Sequence, residues 1–171
     1  MYLHISHELK QQITSHAHAD YPHEVCGILA GTGHVVECVI PVENSAADPK
    51  HSFLIGRDAL NQHLPTLNGL QVLGFYHSHP TGNITPSPTD IRDTVLDTLH
   101  VIADTKGHLA AWQIQRGRVY SVEIISGEVP AKQDEPLTRQ QKMAIILSVI
   151  FALSILIILS LALLPPAPEL P

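Results

Sequence analysis

Two histidines in an apolar segment are the first residues that point to chemistry. His77 and His79 lie two positions apart at the end of LQVLGFYHSH, residues 70–79. Alternate residues of a strand project from the same face, so both imidazoles can reach one ion. In a chain with 12 histidines, such a pair by itself does not distinguish a metal site from structural or exposed histidines. Asp90 strengthens the case for a metal site. It follows a turn-rich loop and lies in the first turn of a predicted helix, where the chain can fold back and bring its carboxylate beside the two imidazoles. Two imidazoles and one carboxylate suit zinc, and three protein ligands leave a fourth position for water, as in catalytic sites.

Two further residues are candidates for proton transfer and charge stabilisation. A water activated by zinc needs a nearby carboxylate that is not itself a ligand. Glu24 is our candidate, since it interrupts an apolar stretch at the start of the first strand in PHEVCG. The alternative for Glu24 is a solvated carboxylate at a strand end. Ser87 can stabilise an oxyanion, or it can cap the helix that begins at Pro88, and both roles use the same oxygen.

These residues occur in one arrangement that resembles a known family. EVCGILAG begins at Glu24, GFYHSHP spans residues 74–80, and six residues later come Ser87 and then Asp90. This order resembles that of the JAMM, or MPN-plus (Mov34/MPN/PAD-1-like), zinc metalloproteases. It consists of a Glu, then HxHP, six residues, Ser, two residues and Asp. The resemblance covers about residues 1–125 and is greatest to the minimal prokaryotic members. It implies zinc held by His77, His79 and Asp90, with Glu24 as general base and then acid.

The resemblance also implies a role for Ser87, a fold and a substrate class. Ser87 would support the tetrahedral intermediate, and the fold would be a mixed sheet with helices similar to that of cytidine deaminases. Members hydrolyse peptide or isopeptide bonds at the C-terminal glycines of ubiquitin-like proteins, and the small prokaryotic members process such modifiers or sulfur-carrier proteins. Two alternatives stay open: a non-catalytic, membrane-tethered binding scaffold of the same fold, and a zinc amidohydrolase of small amides.

The elements that must position these residues follow from hydrophobic periodicity and turn signals. Ser6 is placed to cap a first helix with apolar positions Leu9, Ile13 and Ala17. A second helix begins after Ser87 and is predicted to align Ile91, Val95, Leu99 and Ile102 on one face. The remaining predicted elements are strands at 25–30, 35–41, 53–55, 70–79, 109–114 and 118–125, and a helix over 57–68 that is broken or ends near Pro65. Together they predict one α/β domain with a mixed sheet flanked by helices.

The C-terminal part of the chain has a different composition. Residues 143–164 carry no charge, no Gly and no Pro, and 22 residues of helix span roughly 33 Å, which predicts a transmembrane helix. Two basic residues, Arg139 and Lys142, precede this segment, whereas the only charged residue of the tail is Glu169. Because basic residues beside a membrane helix favour the cytoplasmic side, residues 1–142 are expected there. The predicted organisation is a metalloprotease domain over 1–126, a polar linker over 127–142, the helix and a short tail over 165–171.

Overall composition limits the classes of function. The chain has 171 residues and a net charge of −6, with scattered basic residues, so nucleic-acid binding is not expected. Cys26 and Cys38 are too few for a disulfide scaffold and are expected to be reduced thiols. The sequence leaves the oligomeric state open.

Overall fold

The computed structural model describes residues 1–94, 97–127 and 139–162. The chain divides into two units, Met1–Val129 and Pro130–Pro171. Within the described residues, the first unit contains seven strands and three α-helices. The strands are β1 (Tyr2–His4), β2 (Cys26–Thr32), β3 (Val35–Val42), β4 (Gln71–Ser78), β5 (Thr98–Ala103), β6 (Leu109–Gln115) and β7 (Arg118–Ile125). The helices are α1 (His7–Ala19), α2 (Arg57–His63), which continues into a 3₁₀ turn at Leu64–Leu67, and α3 (Pro88–Asp93).

The strands form one mixed sheet that closes on itself in the order β1-β3-β2-β4-β5-β6-β7. Strand β4 lies between β2 and β5, antiparallel to β2 and parallel to β5. The hairpins β2-β3 and β6-β7 are antiparallel. The short β1 runs parallel to both β7 and β3 and closes the ring. The mixed sheet with helices that the sequence predicts is therefore confirmed.

Helix α1 forms where the sequence predicts it. The Ser6 hydroxyl accepts a hydrogen bond from the Leu9 N–H at 3.2 Å and caps the helix. The buried face consists of Leu9, Ile13 and Ala17, spaced three or four residues apart as a core-facing stripe requires. These side chains join a core that includes Leu29, Val36, Tyr76 and Val101 from the sheet. One face of the sheet is thus packed against α1.

The predicted helix after Ser87 is much too long. Helix α3 ends at Asp93, and Leu99 and Ile102 lie in strand β5. Both are buried, because β5 is inserted between β4 and β6. A short apolar run fits a helix face and a strand buried on both sides equally well by periodicity, and here the sheet decides. Val95 lies outside the described residues.

Two other predictions, both for the N-terminal half of the chain, differ from the structure. Residues 53–55, expected as a strand, belong to the loop that connects β3 to α2. Strand β1 precedes α1, whereas the sequence was expected to begin with the helix. A three-residue strand is too short to show alternation, so only its pairing with β7 reveals it.

The C-terminal unit contains the helix α4, Arg139–Ala162. Within the described residues no helix is both long and apolar enough to cross a membrane. The predicted transmembrane helix over 143–164, and with it the predicted membrane anchor, is therefore not supported. Most of the predicted linker, residues 128–138, and the tail over 165–171 lie outside the described residues.

Candidate metal centre

Strand β4 positions the first two candidate ligands. His77 pairs with Cys26 of β2 on one side and with Ile102 of β5 on the other, and its side chain is fully buried. His79 lies just past the end of β4, where its backbone N–H donates to the Ala103 carbonyl at 2.8 Å. Because this bond prolongs the β4-β5 pairing, His79 keeps the strand alternation and shares the face of His77.

The start of α3 positions the third candidate ligand. The Ser87 hydroxyl accepts from the Asp90 N–H at 3.1 Å, and the Ser87 N–H donates to Asp90 Oδ2 at 2.7 Å. These two bonds form a reciprocal capping box. The cap fixes the buried Asp90 carboxylate toward the end of β4. Ser87 is therefore the helix cap, and its hydroxyl proton is still available for donation, since a hydroxyl both donates and accepts.

The three donor atoms have the spacing that a zinc ion requires. His77 Nε2 and His79 Nε2 are 3.2 Å apart, and Asp90 Oδ2 lies 3.4 Å from the first and 3.3 Å from the second. For ligands about 2.05 Å from tetrahedral zinc, the expected ligand-to-ligand distance is about 3.3 Å. His77, His79 and Asp90 are the group within the described residues that could hold a metal ion. The donor set fits Zn²⁺ in chemistry and in spacing, which supports the predicted cofactor.

Hydrogen bonds around the cluster prepare its nitrogen atoms for a metal. His79 Nδ1 lies 2.7 Å from the Asn83 carbonyl. A carbonyl only accepts, so this contact places a proton on Nδ1 and leaves Nε2 facing the cluster as the nitrogen that could bind a metal. Burial lowers the pKa of His77, which keeps its imidazole neutral. Burial works against ionisation of Asp90 too, but contacts with His77 and His79 outweigh it and hold the pKa of Asp90 well below its usual range.

Glu24 is a buried carboxyl group beside this cluster. Its side chain is only 6% exposed, and its Oε2 atom has no hydrogen-bond partner among the described residues. Burial raises the pKa of Glu24 to about 7, with opposing contributions from His79, which lowers it, and Asp90, which raises it. A solvated strand-end carboxylate would keep its ordinary pKa. Glu24 is instead a buried carboxyl group with a pKa near neutrality, which is the range that suits a general base.

A cavity of about 370 Å³ opens beside Glu24. It lies between the end of α1 and the loop after β3, and its lining includes His16, Asp20 and Glu43. This cavity leaves open space next to the candidate base.

Two further residues lie against the cluster, and neither was predicted from the sequence. The Phe53 ring stacks on the His77 imidazole with centroids 4.2 Å apart and planes 18° from parallel. His100 of β5 is buried with its ring centroid 6.0 Å from that of His77. Burial, followed by the nearby His77, lowers the pKa of His100 to about 4. No local motif marks either residue, because Phe53 comes from a distant loop and His100 lies in the strand that was predicted as helix.

Comparisons with known proteins agree with this description. Residues 6–115 match the family model for prokaryotic homologs of the JAB domain. A probable TtuB-protein conjugate cleaving protease of Thermus thermophilus is 32% identical over 125 residues, covering 72% of this chain and 83% of the relative. A desampylase of Haloferax volcanii is 35% identical over 133 residues, covering 71% and 96%. The solution structure of a Desulfitobacterium hafniense protein superimposes with a TM-score of 0.67 at 26% identity, covering 79% of this chain and 99% of that one.

Fold, site and relatives together define a JAMM-type peptidase, as the sequence predicts. The chain belongs to the family of prokaryotic homologs of the JAB domain.

Proposed function

We propose that this chain is a zinc-dependent isopeptidase that hydrolyses the bond after the C-terminal glycines of ubiquitin-like or sulfur-carrier proteins. The observation that carries the proposal is the cluster of three buried donor atoms, 3.2–3.4 Å from one another, beside a buried carboxyl group. The substrate class is supported by the similarity to a relative that is named for cleaving TtuB-protein conjugates, because such a conjugate joins two proteins.

In this proposal His77, His79 and Asp90 are the zinc ligands. Zn²⁺ bound by them would supply Lewis acidity, polarising the scissile carbonyl and making water easier to deprotonate. Glu24 takes the proton from the attacking water, for which its pKa of about 7 is well suited. The protonated Glu24 then gives this proton to the leaving amine. The Ser87 hydroxyl, whose oxygen caps α3, donates its proton toward the oxyanion of the tetrahedral intermediate.

A cleavage assay with the full chain tests the proposal. The substrate is a ubiquitin-like protein joined through its C-terminal Gly-Gly to a reporter, incubated with and without a zinc chelator. Glu24→Gln should lower kcat at least about 10²-fold while zinc stays bound. Glu123→Gln, the same change at an exposed acid of β7, should leave cleavage unchanged. Glu24→Gln with wild-type turnover would remove Glu24 from the mechanism.

The same assay distinguishes the two alternatives. A zinc amidohydrolase of small amides would cleave short glycyl amides and leave the folded fusion intact. A binding scaffold would cleave neither substrate, and it would bind no zinc. Chelator-sensitive cleavage after the glycines supports the isopeptidase against both.

A further inference from the structure

The Asn44 side chain uses every hydrogen bond that an amide can make. Asn44 lies in the loop that connects β3 to α2. Its Nδ2 donates to the carbonyls of Glu24 at 2.8 Å and Ser52 at 3.0 Å. Its Oδ1 accepts from the N–H groups of Ala46 and Leu54, both at 3.0 Å. An amide has two donors and two acceptor positions, so the group is saturated. Only an amide oriented in this one way satisfies all four backbone groups.

Two of these bonds fix the position of Phe53. Ser52 and Leu54 are its two neighbours in the chain, and Asn44 bonds to both of them. The Ser45 N–H also donates to the Leu54 carbonyl at 2.9 Å. The Phe53 side chain held between them is the one that stacks on the imidazole of His77. Asn44 thus determines where the ring that covers one face of a candidate zinc ligand lies.

A third bond fixes the backbone of Glu24. The Glu24 carbonyl accepts from Asn44, and the Glu24 N–H donates to the Pro49 carbonyl at 2.6 Å. Both backbone groups of Glu24 are therefore bonded to the loop between β3 and α2. Glu24 precedes β2 and gains no ladder partner from the sheet for these two groups. The loop, closed by Asn44, holds the base in place.

We propose that Asn44 is a positioning residue that couples the two halves of the site, the base Glu24 and the ligand His77, through one side chain. The inference rests on the proposed function for the role of Glu24, and on the donor cluster for the role of His77. Phe53 transmits the coupling, since its ring restricts the rotation of the His77 imidazole and excludes water from that face. Residues that orient metal ligands from behind change metal affinity by about 10- to 100-fold when they are replaced.

Zinc affinity, measured on the full chain by competition with a chromophoric chelator, tests the coupling without any substrate. Asn44→Asp keeps the shape of the side chain but replaces two N–H donors by an oxygen that faces the carbonyls of Glu24 and Ser52. Zinc affinity should fall about 10-fold or more. Asn61→Asp adds the same charge at an exposed position of α2 and should change nothing. Wild-type zinc affinity in a folded Asn44→Asp protein would overturn the proposal.

A second variant identifies the route of the coupling. Phe53→Ala removes the ring but leaves the four bonds of Asn44, which involve no atom of the Phe53 side chain. Zinc affinity should fall in this variant too, and the double variant should bind zinc no more weakly than the weaker single variant. Independent, additive losses would contradict the coupling. If Asn44→Asp does not fold, wild-type zinc affinity in Phe53→Ala refutes the link to His77 instead.

The turnover number kcat tests the link between Asn44 and Glu24. Asn44→Asp loaded with saturating zinc should lower kcat about 10-fold or more with little change in KM, since the loop holds the base. Unchanged kcat at full zinc occupancy would contradict this half of the proposal. If the wild-type chain cleaves no ubiquitin-like fusion while Asn44→Asp still weakens zinc binding, the proposed substrate is wrong and the positioning role stands.

Discussion

The buried carboxyl of Glu24 makes the stability of the metal-free protein depend on pH in a defined direction. Its pKa is raised from an ordinary 4.5 to about 7 by burial. The folded state therefore binds this proton more tightly than the unfolded state does. The resulting stabilisation is fully present below pH 4.5, decreases as the pH rises, and is lost above about pH 7.

Glu24→Gln isolates this contribution. Glutamine has nearly the same shape and no charge, so the variant lacks the cost of ionising a buried acid. A shift of about 2.5 pKa units corresponds to roughly 3 kcal/mol. We expect the metal-free variant to be more stable than the wild type by about 3 kcal/mol at pH 8. At pH 5.5 the expected difference is about 1.4 kcal/mol, and below pH 4 it is close to zero.

Urea unfolding of the full chain in the presence of a chelator, measured from pH 4 to pH 8, gives this difference directly. Glu43→Gln is the matched control, because Glu43 is exposed and its replacement should leave the pH dependence of wild type unchanged. A Glu24→Gln effect that is the same at every pH would refute the reasoning, since it would mean that the Glu24 carboxylate is already solvated in the folded protein.

Three further predictions concern the metal centre and the sheet. His77→Ala should reduce bound zinc, measured by elemental analysis, to below about 0.1 per chain, because it removes one of three ligands. His18→Ala, at an exposed position of α1, should leave the zinc site fully occupied. Adding zinc at about 100 times its dissociation constant should stabilise the wild-type chain by about 2.7 kcal/mol in urea unfolding, and an unchanged midpoint would contradict a folded-state site. Gly74→Ala should cost about 3 kcal/mol in the same assay, because its Cβ would overlap the Leu99 carbonyl oxygen across the β4-β5 pair. Gly56→Ala, whose Cβ would make only an ordinary contact with the Ser45 hydroxyl, should cost less than about 1 kcal/mol.

Local sequence determined several features of this protein by itself. The Ser6 cap and the spacing of Leu9, Ile13 and Ala17 specify α1, because capping and helical periodicity act within a few residues. The hairpins β2-β3 and β6-β7 were also predictable, since each joins neighbouring strands through a short turn that contains glycine. The candidate ligands stand in one short stretch, so their residue types and spacing could be recognised without a structure.

Only the tertiary structure decided the remaining features. Leu99 and Ile102 belong to a strand because β4 and β6 offer hydrogen bonds on both sides, an influence that is absent from the local sequence. The contact of Phe53 with His77 and the bond from Asn44 to Glu24 join residues 24 and 20 positions apart. Burial of Glu24 likewise results from packing between segments, and it raises the pKa that makes this glutamate a suitable base. Local periodicity carries no information about such contacts, because they arise only when the sheet closes and the loop folds over it.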